Sequence, residues 1–320
     1  MSQAKKPHAL LPGDSVRILS LASPVQEELL KKGCEELARL GFVPKVDCTS
    51  VLARESFFAG STAIRLTALK QALSEPDSKA IFCSRGGYGS NYLVENLFVD
   101  AADAKILLGS SDITSLQTFL WRRHKWVTFY GPMVASNFHH GAGAPHGYDR
   151  ESLLRAVTEI NQGWKLDLEG ESLIAGYGEG ILLGGCLTLV ETSLGTPWEL
   201  DTRGAILVLE DRGMKPYQVD RALMHLKQAG KFNEIAGIVL GDFPDCEPPA
   251  GGETVRDVAR RILAPLGHKP GQIPIVWGAP IGHTSRAALT LPLGVRARLV
   301  ATGAPSAPSH LEILEPACLP

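Results

Sequence analysis

Cysteine is sparse and unpatterned in this chain. The six residues, Cys34, Cys48, Cys83, Cys186, Cys246 and Cys318, lie far apart with no Cys-x-x-Cys step. That spacing argues against a zinc site and against a secreted disulfide framework, so the thiols are expected to be reduced and the protein cytoplasmic. No apolar run approaches the roughly 20 residues that span a bilayer. Near the start, Pro12, Gly13 and Asp14 interrupt the chain before an apolar core of signal-peptide length can form. Charge of one sign is missing too. Lys plus Arg number 32 and Asp plus Glu 34, a formal net charge of −2. That leaves no basic stripe for nucleic acid and no polybasic segment for a membrane surface. No internal repeat recurs at a fixed period.

What the chain does have is length and alternation. Its 320 residues suffice for two domains with sizeable cores. Short apolar strands are predicted at 16–21, 42–46, 80–83, 106–108 and 127–130, separated by helical patterns at 27–40, 62–73, 88–97 and 113–121. Strands divided by helices predict a mostly parallel sheet covered on both faces, with ligands beyond the strand C-termini, where Ser23, Arg85 to Gly87 and Ser111 fall. The expected division is an N-terminal α/β domain over 12–136, a His- and Gly-rich linker over 137–172, a second domain over 173–303 and a loosely held tail over 304–320. In the second domain, helices are expected at 187–194, 217–229 and 254–263, and strands at 205–209, 235–240, 273–277, 288–292 and 295–300. The last two strands are expected to be joined through Leu293-Gly294.

Residues 106–116, Ile-Leu-Leu-Gly-Ser-Ser-Asp-Ile-Thr-Ser-Leu, have the form of a nucleophile elbow. A serine on a tight strand-to-helix turn projects its hydroxyl from the sheet edge, and the helix N-terminus beyond supplies N–H groups for an oxyanion. Ser111 is the candidate nucleophile; Ser or Asp before an apolar run is also an ordinary helix cap, and the local sequence alone favours capping. A serine nucleophile needs a base and a group to orient that base. Among nine histidines, His139, His140 and His146 fall in the linker, whereas His283 follows an apolar strand on a Pro/Gly turn. Glu210 and Asp211 end the buried-looking strand Ala205-Ile-Leu-Val-Leu, and either carboxylate could be catalytic, Asp211 alternatively capping the helix after Pro216. The run Ser84-Arg-Gly-Gly-Tyr-Gly-Ser offers close backbone N–H groups but lacks the spacing of GxGxxG or of a Walker loop. Cys83 falls inside an apolar strand and is discounted as a nucleophile.

Nine short motifs occur in order: Phe57-Phe-Ala-Gly-Ser, Ser84-Arg-Gly-Gly-Tyr-Gly, Gly109-Ser-Ser-Asp-Ile-Thr, Tyr130-Gly-Pro-Met, Gly184-Gly-Cys-Leu-Thr, Leu194-Gly-Thr-Pro, Leu209-Glu-Asp, Tyr217-Gln-Val-Asp-Arg and Pro280-Ile-Gly-His. Together they resemble the LD-carboxypeptidase family of serine peptidases, which includes muramoyltetrapeptide carboxypeptidases and microcin-immunity peptidases. The resemblance runs from about Pro12 to Val300 and implies a flavodoxin-like α/β domain with a nucleophile elbow, plus a smaller C-terminal α/β domain of mixed strands. It implies Ser111 as nucleophile, displacing Ser110, His283 as general base and Glu210 as the orienting acid. The backbone N–H of Asp112, with one from the Gly86-Gly87 turn, would form the oxyanion hole. One departure is visible: Cys186 stands where family members often carry Asn after the Gly-Gly pair.

The implied reaction uses no metal and no cofactor. It releases a C-terminal D-alanine from a murein tetrapeptide in cell-wall recycling, with Arg85 a candidate clamp for the free carboxylate. Cleavage of a peptidyl- or aminoacyl-nucleotide amide is the alternative enzyme reading, for which Trp164, Trp198 and Trp277 are available to stack a base. A noncatalytic small-peptide-binding protein is the alternative of another class, disfavoured by three intact triad positions. The expected partner is a small peptide or muropeptide, with no nucleic acid and no membrane, and the expected assembly is a homodimer.

Overall fold

The structure, a computed structural model, describes residues 4–99, 104–161, 163–268, 272–303 and 308–320. Two compact units emerge: Met1–Ile160 with Arg286–Pro292 and Ala317–Pro320, and Asn161–Ser285 with Leu293–Pro316.

The first unit contains β1 (Ser15–Leu19), α1 (Glu27–Arg39), β2 (Val43–Val46), α2 (Cys48–Val51), α3 (Thr62–Ser74), β3 (Ser78–Cys83), α4 (Asn91–Val94), β4 (Ile106–Gly109), α5 (Thr114–His124), β5 (Thr128–Tyr130) and α6 (Arg150–Thr158). Apolar residues dominate β3 and β4 and both strands are nearly wholly buried, as a parallel sheet covered on both faces requires. α1 buries Leu30, Gly33 and Leu37 at helical spacing. Ser61 starts α3 by accepting from the Ile64 N–H, and Asp149 starts α6 by accepting from Ser152. The strands lie in the order β2-β1-β3-β4-β5, all parallel, and a sixth strand, Leu291–Leu293, lies beyond β5. This flavodoxin-like order places a topological switch between β1 and β3, where ligand-binding loops belong.

The second unit contains β6 (Trp164–Asp167), β7 (Glu171–Ile174), β8 (Gly176–Cys186), α7 (Leu187–Thr192), β9 (Ala205–Glu210), α8 (Pro216–Gln228), β10 (Gly237–Gly241), α9 (Val255–Leu263) and β11 (Ile275–Ala279). After β12, the Leu291–Leu293 strand already placed, come β13 (Arg296–Ala301) and β14 (His310–Ile313). Its sheet runs β6-β14-β13-β8-β9-β10-β11-β7, with β8 to β11 parallel and antiparallel strands on both flanks. No helix among the described residues is long and apolar enough to cross a membrane.

Several expectations are corrected here. The helix expected over 88–97 shrinks to α4, because Gly89 takes φ +128° and the Ser90 N–H is held by the Asp112 carboxylate at 2.7 Å. The segment expected as a linker, 137–172, is built into both units. Phe138 and Tyr148 are buried with ring centroids 4.7 Å apart, α6 follows, and β6 and the start of β7 belong to the second sheet. The strands joined through Leu293-Gly294 enter different sheets, β12 the first and β13 the second. Within the expected tail, residues 304–307 lie outside the described residues. The rest is tied down: β14 pairs with β13 and β6, and Ala317 and Cys318 are buried.

Candidate active site

In the first unit the site is assembled from loops at the C-terminal ends of β1, β3 and β4. β4 ends at Gly109, Ser110 remains extended, and Ser111 turns to φ +58° before one 3-10 turn leads into α5. A left-handed serine costs on the order of 1–3 kcal/mol, strain that persists only where surrounding contacts hold it. One contact is the Ser111 N–H, which donates to the Tyr130 hydroxyl at 3.1 Å. Asp112 is buried, accepts from the Ser90 N–H at 2.7 Å, and takes the Ser90 hydroxyl on its backbone carbonyl at 2.5 Å. Burial raises the Asp112 pKa above the usual carboxylate value, against the opposing pull of the Ser90 hydrogen bonds and the Arg65 charge.

The glycine turn after β3 lies directly against the elbow. A Cβ on Gly86 would come within 2.8 Å of Ser111 Cβ and 3.0 Å of its Oγ, so only glycine brings this backbone so close to the hydroxyl. Ser23 clamps the turn: its N–H donates to the Gly86 carbonyl at 3.1 Å, and its hydroxyl accepts from the Tyr88 N–H at 3.1 Å. Arg65, which sequence reasoning missed, is fully buried and donates to the carbonyls of Leu21 at 2.9 Å and Gly89 at 2.7 Å. It thereby ties the β1 loop to the β3 loop. Arg85 is exposed, one of its N–H groups donating to the Pro24 carbonyl at 3.0 Å. Cys83 is buried and its thiol is pushed far up by desolvation, which keeps it protonated.

The second unit presents loops at the C-terminal ends of β9, β10 and β11. Glu210 closes β9 with its side chain fully buried. It accepts from the His283 backbone N–H at 2.8 Å and lies 2.9 Å from His283 Nδ1. A carboxylate can only accept, so Nδ1 carries the proton and the neutral ring keeps its lone pair on Nε2. Burial works to lower the His283 pKa, but the Glu210 charge and hydrogen bond, with Asp211 adding, outweigh it and raise the value above the ordinary one. Asp211 has a structural task, although not at the helix after Pro216, the alternative its position in the sequence left open. Its Oδ2 accepts from the Thr188 N–H at 2.9 Å and hydroxyl at 2.7 Å, capping α7, and from the Cys186 thiol at 3.4 Å. Cys186 thus packs beneath the acid pair, and burial raises its pKa foremost.

Gly282 makes the Glu210–His283 turn possible. It has φ +59°, and a Cβ there would stand 2.4 Å from the Glu210 carboxyl carbon. Gly282→Ala is therefore expected to push the carboxylate off His283, destabilising the protein by about 1–3 kcal/mol and lowering kcat/KM roughly 100-fold. Thermal melts and steady-state kinetics check both effects; a variant matching wild type in both would contradict this account of the turn.

The structure brings Glu210 together with His283 in one unit, and Ser111 and Asp112 together with the Gly86-Gly87 turn in the other. Of the tryptophans, Trp164 is buried in β6, and Trp277 stacks on Phe243 with centroids 5.4 Å apart and planes within 5°. Among the described residues, no group of three or more His, Cys, Asp or Glu is disposed to hold a metal ion.

Comparison with known proteins carries the reading further. The LD-carboxypeptidase N-terminal domain matches residues 16–131, and the LD-carboxypeptidase C-terminal domain matches residues 179–299. The chain is 32% identical, over 92% of its length and 91% of the relative's, to a probable murein peptide carboxypeptidase of Bacillus subtilis (strain 168). An MccF-like protein from Bacillus anthracis str. Ames has a similar structure, with a TM-score of 0.82 and 27% identity over 97% of this chain and 99% of that one. A muramoyltetrapeptide carboxypeptidase from Oxalobacter formigenes matches with a TM-score of 0.76 and 28% identity, over 94% and 99% of the two chains. Fold and matches together define a hydrolase of the peptidase class. The chain belongs to the LD-carboxypeptidase family.

Proposed function

We propose that this protein is a serine carboxypeptidase that cleaves an L,D-peptide bond and releases the terminal D-alanine of murein tetrapeptides in cell-wall recycling. The observation that carries the reading is the Glu210–His283 pair, in which a buried carboxylate fixes the tautomer that leaves Nε2 as a base. In this proposal Ser111 Oγ attacks the carbonyl before the terminal residue while His283 takes its proton. The oxyanion is received by the Asp112 N–H and an N–H of the Gly86-Gly87 turn. The C–N bond then breaks as His283 returns the proton to the leaving amine. Water, activated by the same histidine, hydrolyses the acyl-enzyme. The guanidinium donors of Arg85 not given to Pro24 are assigned to the substrate's free carboxylate.

The test is mass spectrometry of a disaccharide-tetrapeptide incubated with the purified protein beside its Ser111→Ala variant. Loss of one alanine by the wild type alone is the expected result. An unchanged substrate overturns the murein assignment and turns attention to peptidyl- or aminoacyl-nucleotide amides. That second reading is favoured by the likeness to the MccF-like protein.

A further inference from the structure

We infer that Tyr130 is a positioning residue for the Ser111 nucleophile, its hydroxyl holding the strained elbow in the reactive conformation; this rests on the reading of Ser111 given above. Tyr130 is fully buried as the last residue of β5, in register with Gly109 at the end of β4. The two strand ends are tied by the Gly131 N–H to the Gly109 carbonyl at 3.2 Å. They are tied again by the Gln117 side-chain amide, which donates to the carbonyls of Gly109 at 3.1 Å and Phe129 at 2.9 Å. The backbone that carries Tyr130 is thus fixed to the strand end that leads into Ser111.

From that anchor the hydroxyl oxygen accepts the Ser111 N–H at 3.1 Å. Ser111, at φ +58°, opens the 3-10 turn ahead of α5, where a helix start leaves N–H donors without partners of its own, and the Tyr130 hydroxyl accepts the Ser111 N–H. Relaxing Ser111 to a negative φ would turn that N–H off Tyr130 and swing both Oγ and the following Asp112 N–H. The hydroxyl therefore sets nucleophile and oxyanion donor together. The motif Tyr130-Gly-Pro-Met was visible in the sequence, but nothing in it assigns the tyrosine a task.

Tyr130→Phe keeps the ring and deletes the acceptor. The expected result is a kcat lowered roughly 10- to 100-fold with KM nearly unchanged, as for a small misplacement of a reacting group. The acid limb of the pH profile should stay in place, because Glu210 and His283 are untouched. Labelling of Ser111 by a fluorophosphonate, which needs no peptide substrate, should slow in parallel. A labelling rate within about twofold of wild type, or a rise in KM at constant kcat, overturns the inference. Should the phenylalanine variant not fold, 4-fluorophenylalanine at position 130 fills the place of the hydroxyl with a fluorine that accepts hydrogen bonds poorly; slower labelling is expected, and an unchanged rate overturns the inference. Wild-type protein that labels no better than Ser111→Ala removes Ser111 as nucleophile, a failure distinct from a labelled wild type with an unaffected Tyr130 variant.

Discussion

Ser111→Ala is expected to lower kcat by roughly ten-thousand-fold or more while leaving the fold and substrate binding in place. Alanine keeps the Cβ and the backbone, so the left-handed turn at φ +58° and the N–H bond to Tyr130 persist. What disappears is the atom proposed to form the acyl-enzyme, and the nearby Cys83 thiol, buried and held protonated, does not replace it. Calorimetric titration with the tetrapeptide should show retained affinity beside absent turnover. Ser111→Gly separates strain from chemistry. It should be equally inactive yet raise the thermal midpoint, because glycine adopts the left-handed region without the penalty serine carries. Turnover by the alanine variant above about one per cent of wild type would mean that another group attacks the substrate.

Glu210→Gln is expected to cost roughly a thousand- to ten-thousand-fold in kcat, because an amide can present its NH2 to Nδ1 and select the wrong tautomer. Its pH signature is specific. In the wild type the raised His283 pKa should place the acid limb of kcat/KM above the ordinary histidine value of about 6.5. Activity rises with pH through that point as the imidazolium loses its proton. Without the Glu210 charge the lowering effect of burial is less opposed, so the limb of the residual activity should move to lower pH. Stability follows the same linkage. A raised folded-state pKa contributes stability that is fully present below the unfolded value and is lost as pH rises through the folded one. The wild type should therefore lose this increment from about pH 6.5 upward, and the variant should lose less. A limb that stays in place on substitution would separate His283 from the ionisation that governs the rate.

Much of the first unit was legible in the sequence because its strands are short apolar runs, α1 carries a clear apolar stripe and Ser61 caps α3. The paired strands β1 to β5 and helices α1, α3 and α5 lie within a few residues of expectation. β8 was not legible: Gly-Tyr-Gly-Glu-Gly-Ile-Leu-Leu-Gly-Gly-Cys has poor intrinsic strand propensity. It becomes an 11-residue strand because β13 and β9 pair along its two sides. β14 was equally illegible, because its short run His-Leu-Glu-Ile becomes a strand only by pairing with the neighbouring β13 on one side and with β6, far earlier in the chain, on the other. Composition likewise hid the buried Phe138 and Tyr148 among glycines and histidines.

The site divides along the same line. Residue types and local turns could be read directly: a serine after Gly-Ser at a strand end, a carboxylate closing an apolar strand, a histidine on a Pro/Gly turn. The local sequence did not say which of Glu210 and Asp211 faces the histidine, and only the family resemblance pointed to Glu210, because adjacent residues at a strand end point to opposite sides and packing decides what each meets. The tertiary structure gives Glu210 to His283 and Asp211 to the start of α7. It also buries Arg65 among the carbonyls of three loops and sets Tyr130 on the Ser111 N–H. By itself the sequence determined periodicity, the turns and the family, because those depend on neighbours within a few positions or on motifs in order. Partners, tautomer and strain waited for the tertiary structure, because each depends on groups that only folding brings within hydrogen-bond reach.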